Sequence, residues 1–128
     1  PIKEVNRIIS SHLFGYYLTS VGLTEAEAQL RQEIRTIRLQ QPFSDWDERL
    51  VDFKLVLAKE SGQILGGQLV SKSQHLEQME SLALAISRGL CLQDFLDQSW
   101  LCLPISRPLV PLLVEAANLY QRQLQAED

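Results

Sequence analysis

The stretch RLVDFKLVLAKESGQILGGQLVS, running from Arg49 to Ser71, constrains the fold more than any other. Val51, Phe53, Leu55 and Leu57 alternate with Asp52, Lys54, Val56 and Ala58, so one side of the segment is apolar and the other mixed. That period of two is the mark of a half-buried strand. Glu60-Ser61-Gly62 supplies turn chemistry and QILGGQLVS resumes extended structure, which together predict an antiparallel β-hairpin. Gly66 and Gly67 would weaken an isolated strand. Inside this one they predict close approach of another backbone or of a helix.

Upstream, GYYLTSVGLTEAEA (Gly15 to Ala28) reads in two halves. Aromatic and branched residues favour a strand over about Phe14–Thr19, and Ser20 and Gly22 bring the chain out of it. Thr24 then stands three residues before Glu27. This is the spacing of a capping box, in which the Thr hydroxyl takes an orphan N–H of the first helical turn and the Glu carboxylate reaches back to the cap. A helix is predicted over about Glu25–Gln32 and a strand over Ile34–Gln40. QPFSDWDER, with Pro42 and its polar cluster, is expected to be an irregular surface connection. Residues 1–13 are expected to be a leader or linker with a weak helical hint from Val5, Ile8 and Ile9.

From Ser73 the period changes. Leu76, Met79, Ala83, Ile86 and Leu90 fall at steps of three and four, a helical stripe, with Gly89 placed for a left-handed cap. A short helix is predicted over Gln93–Gln98. A last helix runs to about Gln123, with Leu112, Leu113, Ala116, Ala117, Tyr120 and Leu124 inward; Pro111 confines its start to the first turn. The order β-α-β-β-β-α-α-α implies an α+β fold, an antiparallel sheet of about four strands packed against helices. With 128 residues, 45% of them apolar, the chain is long enough for one domain with its own core.

The residues offer little chemistry. A formal charge of −4 with no basic run argues against nucleic acid. No stretch approaches the ~20 apolar residues of a membrane span, and the first residues lack the apolar core of a signal peptide. The chain opens on Pro1 rather than Met, so a preceding part of a gene product is expected. Cys91 and Cys102, the two cysteines, are expected to be buried thiols in a reducing cytoplasm. GQILGG has neither the spacing nor the strand-to-helix setting of a dinucleotide fingerprint, and no Walker A sequence occurs. His12 and His75 are not at metal-ligand spacing from each other or from a cysteine. Asp45, Asp47 and Glu48 around Trp46 read as a solvated turn. No catalytic set, cofactor site or metal site is nominated. By itself the chain is expected to do no chemistry.

FGYYLTSVGLTEAEA, FKLVLAKESGQILGGQLVSK, ALAISRGLCLQDF and LPISRPLVPLLVEAA, in that order, resemble the C-terminal dimerisation domain of FAD-dependent pyridine nucleotide-disulfide oxidoreductases. The similarity points to the NADH oxidase, NADH peroxidase and coenzyme A-disulfide reductase branch and spans Phe14 to Ala117. It implies a domain over residues 14–128 that pairs two subunits and faces the partner's active site. It also implies attachment to FAD- and NAD-binding domains that carry FAD, NAD(P)H and the redox cysteine. In the glutathione reductase branch a histidine and a glutamate near the position of Leu103–Pro108 act as acid and base. LCLPISRPLV has no histidine, so that role does not carry over. The apolar run Trp100, Leu101, Cys102, Leu103, Pro104 and Ile105 is instead the candidate dimer interface and lining of the partner's active site. A free-standing α+β module that binds a small regulatory ligand is the alternative.

Overall fold

The computed structural model of the chain describes residues 8–44, 47–72, 76–96 and 109–127. Their strands are β1 (Ile8–Leu13), β2 (Tyr16–Gly22), β3 (Ile34–Ser44), β4 (Asp47–Ala58) and β5 (Ile64–Ser71). The helices are α1 (Glu25–Gln29), α2 (Leu76–Ser87) and α3 (Leu109–Glu127), with a 3-10 turn at Leu92–Phe95 between the last two. The fold is α+β. The strands form one antiparallel sheet in the order β1-β2-β5-β4-β3, five where about four were expected.

The fifth strand comes from the segment expected to be a leader. Ile8–Leu13 is neither helical nor detached but pairs with β2, from Ile8 opposite Val21 to Leu13 opposite Tyr16. Phe14 and Gly15, at φ 53° and 80°, reverse the chain between them. Two consecutive left-handed residues form the turn whose twist matches a hairpin. The strand expected at Phe14–Thr19 thus starts two residues later, at Tyr16, its first two residues forming the turn.

The connection expected at QPFSDWDER is a second departure. β3 continues to Ser44 and β4 already begins at Asp47. Pro42 is accommodated because β3 is an edge strand, where a missing N–H interrupts no inner ladder; the register shifts between Pro42 and Ser44. The hairpin of β4 and β5 is as expected and lies inside the sheet, its register shifting between Val56 and Leu57.

Helices cover one side of the sheet. α2 packs on β1, β2 and β5, while α3 packs on β3, on α2 and on the 3-10 turn. The core between them gathers Val21, Phe53, Leu55, Leu69, Met79, Leu82, Ile86, Phe95, Leu112, Leu113, Ala116, Ala117 and Tyr120. Of the expected stripes, Met79, Ala83 and Ile86 of α2 and Leu112, Leu113, Ala116, Ala117 and Tyr120 of α3 therefore face inward, with Leu90 and Leu124 half-buried against them. Gly89, at φ 68°, terminates α2, and the following Leu90 N–H donates to the Ala85 carbonyl at 3.2 Å. The predicted short helix is the 3-10 turn, with Phe95 buried.

Candidate interface site

The turn and capped helix after β2 fold over the opposite, outer side of the sheet. The capping box forms as predicted. Glu27 N–H donates to Thr24 Oγ1 at 3.2 Å, and Thr24 N–H donates to Glu27 Oε1 at 3.0 Å. Just before it, Leu23 N–H donates to the Leu65 carbonyl at 3.0 Å, tying the turn to β5. Leu23 and Ala28 then bury against Val56, Ala58 and Leu65, a second, smaller core on the outer side. The glycine pair now has two distinct causes. A Cβ on Gly66 would lie 1.9 Å from the Leu23 carbonyl oxygen, and one on Gly67 would lie 2.6 Å from Leu82 Cδ2 of α2. One glycine admits a backbone, the other a helix.

α1 covers only one end of the outer side. In the middle, Arg38 and Asp52 pair across β3 and β4, the Arg38 Nε–H donating to Asp52 Oδ1 at 2.9 Å. Lys54 Nζ donates to Glu25 Oε1 at 2.6 Å. The hydrogen bond from Arg38 holds the Asp52 carboxyl below its ordinary pKa, partly against desolvation. On the helix side, Arg35 clamps the C-terminal turn of α3. Its guanidinium donates to Glu127 at 2.6 and 2.8 Å, and the hydrogen bond lowers the Glu127 pKa.

The far end of the outer side, over β1, β2 and β5, is open. Five of the six large apolar side chains exposed among the described residues belong to the β1–β2 hairpin: Ile9, Leu13, Phe14, Tyr16 and Leu18. The register places Ile9, Leu13, Tyr16 and Leu18 on the outer side, beside Ser11, Ser20, Gln68 and Val70. A depression of ≈ 180 Å³ lies among Ile9, Ser11, Leu18, Ser20, Gln68 and Val70. Sequence reasoning missed this surface because its alternation runs across a turn it did not identify.

His12 stacks on Tyr17 with ring centroids 4.2 Å apart. Cys91 is half-buried, and burial, followed by the Asp94 carboxylate, raises its thiol pKa. That is the opposite of the shift that activates a thiol. Among the described residues, no three His, Cys, Asp or Glu side chains converge to hold a metal. No helix among them is long and apolar enough to cross a membrane. Trp100, Leu101, Cys102, Leu103, Pro104 and Ile105 lie outside the described residues, as do His75, Asp45 and Trp46. Both flanks of the 100–105 segment are fixed in the helix-side core, through Phe95 before it and Leu112 and Leu113 after it.

Residues 9–110 match the family model of the pyridine nucleotide-disulphide oxidoreductase dimerisation domain. The chain belongs to this family. A pyridine nucleotide-disulfide family oxidoreductase from Enterococcus faecalis V583 superposes with a TM-score of 0.74 at 29% identity, covering 92% of this chain and 28% of that one. The NADH-bound water-forming NADH oxidase from Lactobacillus brevis gives 0.77 at 22% identity, covering 94% and 28%. Reduced CoADR-RHD from Bacillus anthracis gives 0.65 at 22% identity, covering 87% and 21%. The chain therefore spans about a quarter of the length of these structures. The resemblance assigned from FGYYLTSVGLTEAEA onward is to the correct family, and a free-standing ligand-binding module is not favoured.

Proposed function

We propose that this chain is the pairing domain of an FAD-dependent NAD(P)H oxidoreductase that works as a cytoplasmic homodimer. The observation that carries this reading is the family match over residues 9–110, supported by superposition along nearly the whole chain. In this reading residues 14–128 are the pairing domain, and FAD and NAD(P)H belong to the other domains of the parent polypeptide, which supply the redox chemistry. This chain's contribution is to hold two subunits in register and to complete the wall of each partner's active site.

Trp100, Leu101, Cys102, Leu103, Pro104 and Ile105 carry that second role. The run is apolar, and Pro104 and Pro108 prevent it from continuing as a regular strand. An irregular apolar segment is covered either by its own core or by a partner, and membership of a dimerisation-domain family favours the partner. An apolar wall excludes water from the site it lines and strengthens the electrostatic interactions inside it.

Light scattering at micromolar concentration is expected to give a dimer mass, and Trp100→Glu to shift it toward monomer. A dimer indifferent to Trp100→Glu would place the interface on another segment. A monomer throughout would mean that pairing needs the parent's other domains. The upstream reading frame is the complementary check, expected to encode two dinucleotide fingerprints and a lone cysteine.

A further inference from the structure

The two edges of the sheet are built differently. β3 carries devices that keep an edge from pairing. Pro42 lacks an N–H, the register shifts between Pro42 and Ser44, and Arg35 and Arg38 place charge along the strand. β1 carries none of these. IISSHL holds no Lys, Arg, Asp, Glu or Pro, its register with β2 runs unbroken from Ile8 to Leu13, and every residue after Ile8 is exposed. An unguarded edge of this kind is a template for another strand.

The hairpin fixes which groups that edge presents. Phe14 and Gly15, both at positive φ, form a two-residue loop, so Leu13 and Tyr16 close it as a hydrogen-bonded pair. Hydrogen-bonded and non-hydrogen-bonded pairs alternate from there, and the side chains of the second kind stand closer. The Ser10 and Thr19 hydroxyl oxygens, 3.2 Å apart, and the stacked rings of His12 and Tyr17 fit that alternation. Leu13, Ser11 and Ile9 therefore direct their N–H and C=O groups at β2, while His12, Ser10 and Ile8 turn theirs outward. In an antiparallel ladder outward residues meet outward residues. A register centred on Ser10 uses all three of them: Ser10 faces the partner's Ser10, Ile8 faces the partner's His12, and His12 faces the partner's Ile8. On the outer side it sets Ile9 opposite the partner's Ser11, so that the two Ile9 side chains meet on a diagonal.

We propose that β1 pairs antiparallel with β1 of a second copy of this chain, about a two-fold axis at Ser10, joining two five-stranded sheets into one. Three observations select a second copy as the occupant. The strand is complementary to itself in the one register that uses every outward group. Self-pairing would set any charge near its own duplicate, and this strand has no Lys, Arg, Asp or Glu. And the family whose model covers residues 9–110, which include Ile9 to Leu13, is a dimerisation domain. The contact goes beyond pairing through residues 100–105 and does not rest on it. An edge of six residues is a small interface, at the end of the range below ~1,200 Å² where association is weak. It therefore forms at high concentration.

Disulfide trapping reads the register directly. With Cys91→Ser and Cys102→Ser removing the native thiols, Ser10→Cys places two thiols across the axis. Opposite Cα atoms there stand about 5.5 Å apart, within the ~4.4–6.8 Å that a disulfide spans. Ser11→Cys places them on a diagonal of about 7–8 Å, where bridging fails. Under mild oxidation at several hundred micromolar, Ser10→Cys is expected to cross-link at least about tenfold faster than Ser11→Cys. Ser10→Lys, which sets like charges opposite each other, is expected to weaken self-association at least about tenfold by sedimentation in the Trp100→Glu background. Equal trapping at the two positions would overturn the proposal, and so would association of Ser10→Lys at undiminished strength. A wild-type chain that is dimeric by light scattering but shows no preference for Ser10→Cys pairs elsewhere, which refutes this contact and leaves the pairing-domain reading standing. Register-specific trapping in the Trp100→Glu background would support the edge contact even if the 100–105 segment proves not to pair.

Discussion

Gly66→Ala is a demanding test of how the turn before α1 is built. The added Cβ would lie 1.9 Å from the Leu23 carbonyl oxygen and 2.9 Å from its carbonyl carbon and its nitrogen. Ordinary contact begins near 3.4 Å, so either β5 or the turn has to move by roughly an ångström or more. The turn cannot yield cheaply. Leu23 is held by its hydrogen bond to Leu65, is itself 5% exposed, and leads directly into the Thr24–Glu27 box. Losing that hydrogen bond costs about 1 kcal/mol net. Half-exposing Leu23 costs roughly another 1 kcal/mol, and residual overpacking adds ~1–2 kcal/mol. The sum, about 3–4 kcal/mol, is a large part of the ~5–15 kcal/mol that holds a domain together. Gly67→Ala is the control, since its Cβ meets the Leu82 Cδ2 end of a side chain at 2.6 Å, and a rotamer change can relieve that for about 1–2 kcal/mol. Urea melts of the two variants at matched m-value measure the difference. Equal losses would refute the claim that the glycine pair answers two different neighbours.

Three further outcomes follow from the same structure. Thr24→Ala should destabilise the fold by ~1 kcal/mol and Thr24→Asp should be close to neutral, in urea melts, because aspartate caps equally well and favours the helix dipole. The Asp52 carboxyl lies below its ordinary pKa when folded, so the stability it contributes is present above the unfolded carboxylate range near pH 4 and is lost as pH falls through the lower folded value. Asp52→Asn should therefore flatten the acid limb of the urea midpoint plotted between about pH 5 and 2. Purified chain should be colourless after desalting and show no saturable NADH binding by calorimetry, as expected of a domain without a dinucleotide fingerprint.

What could be seen in the sequence was local and strongly periodic. The β4–β5 hairpin, the capping box and the inner faces of α2 and α3 each carry their signal within a dozen or so residues. Gly66 and Gly67 were legible as points of close approach, but only the fold tells that the first meets Leu23 and the second Leu82. β1 was hidden for two reasons. Ser10, Ser11 and His12 carry little β preference, and Val5, Ile8 and Ile9 imitate a helical step. Its turn was hidden because Phe14 stands where Asn would announce a hairpin. Pro42 read as a break, whereas its place on an edge strand makes it harmless, and edge position is a property of the whole sheet. The open outer face was illegible for the same reason: Leu13 and Tyr16 share a side only once the two strands are known to pair.

Among the described residues, several polar side chains hold one element against another. Thr24 and Glu27 cap α1, and the Asp94 carboxylate takes the Cys91 backbone N–H at 3.0 Å. Arg35 secures the end of α3 to β3 through Glu127, Arg38 and Asp52 join β3 to β4, and Lys54 binds Glu25 of α1. Each of these groups is charged or polar, yet each is committed to holding one element against another. A catalytic carboxylate or thiol needs an environment that favours its reactive form. Here Arg38 keeps Asp52 a firmly ionised acceptor, and burial keeps the Cys91 thiol protonated. The outer-side pairs brace the sheet, and the Arg35 clamp braces the last helix.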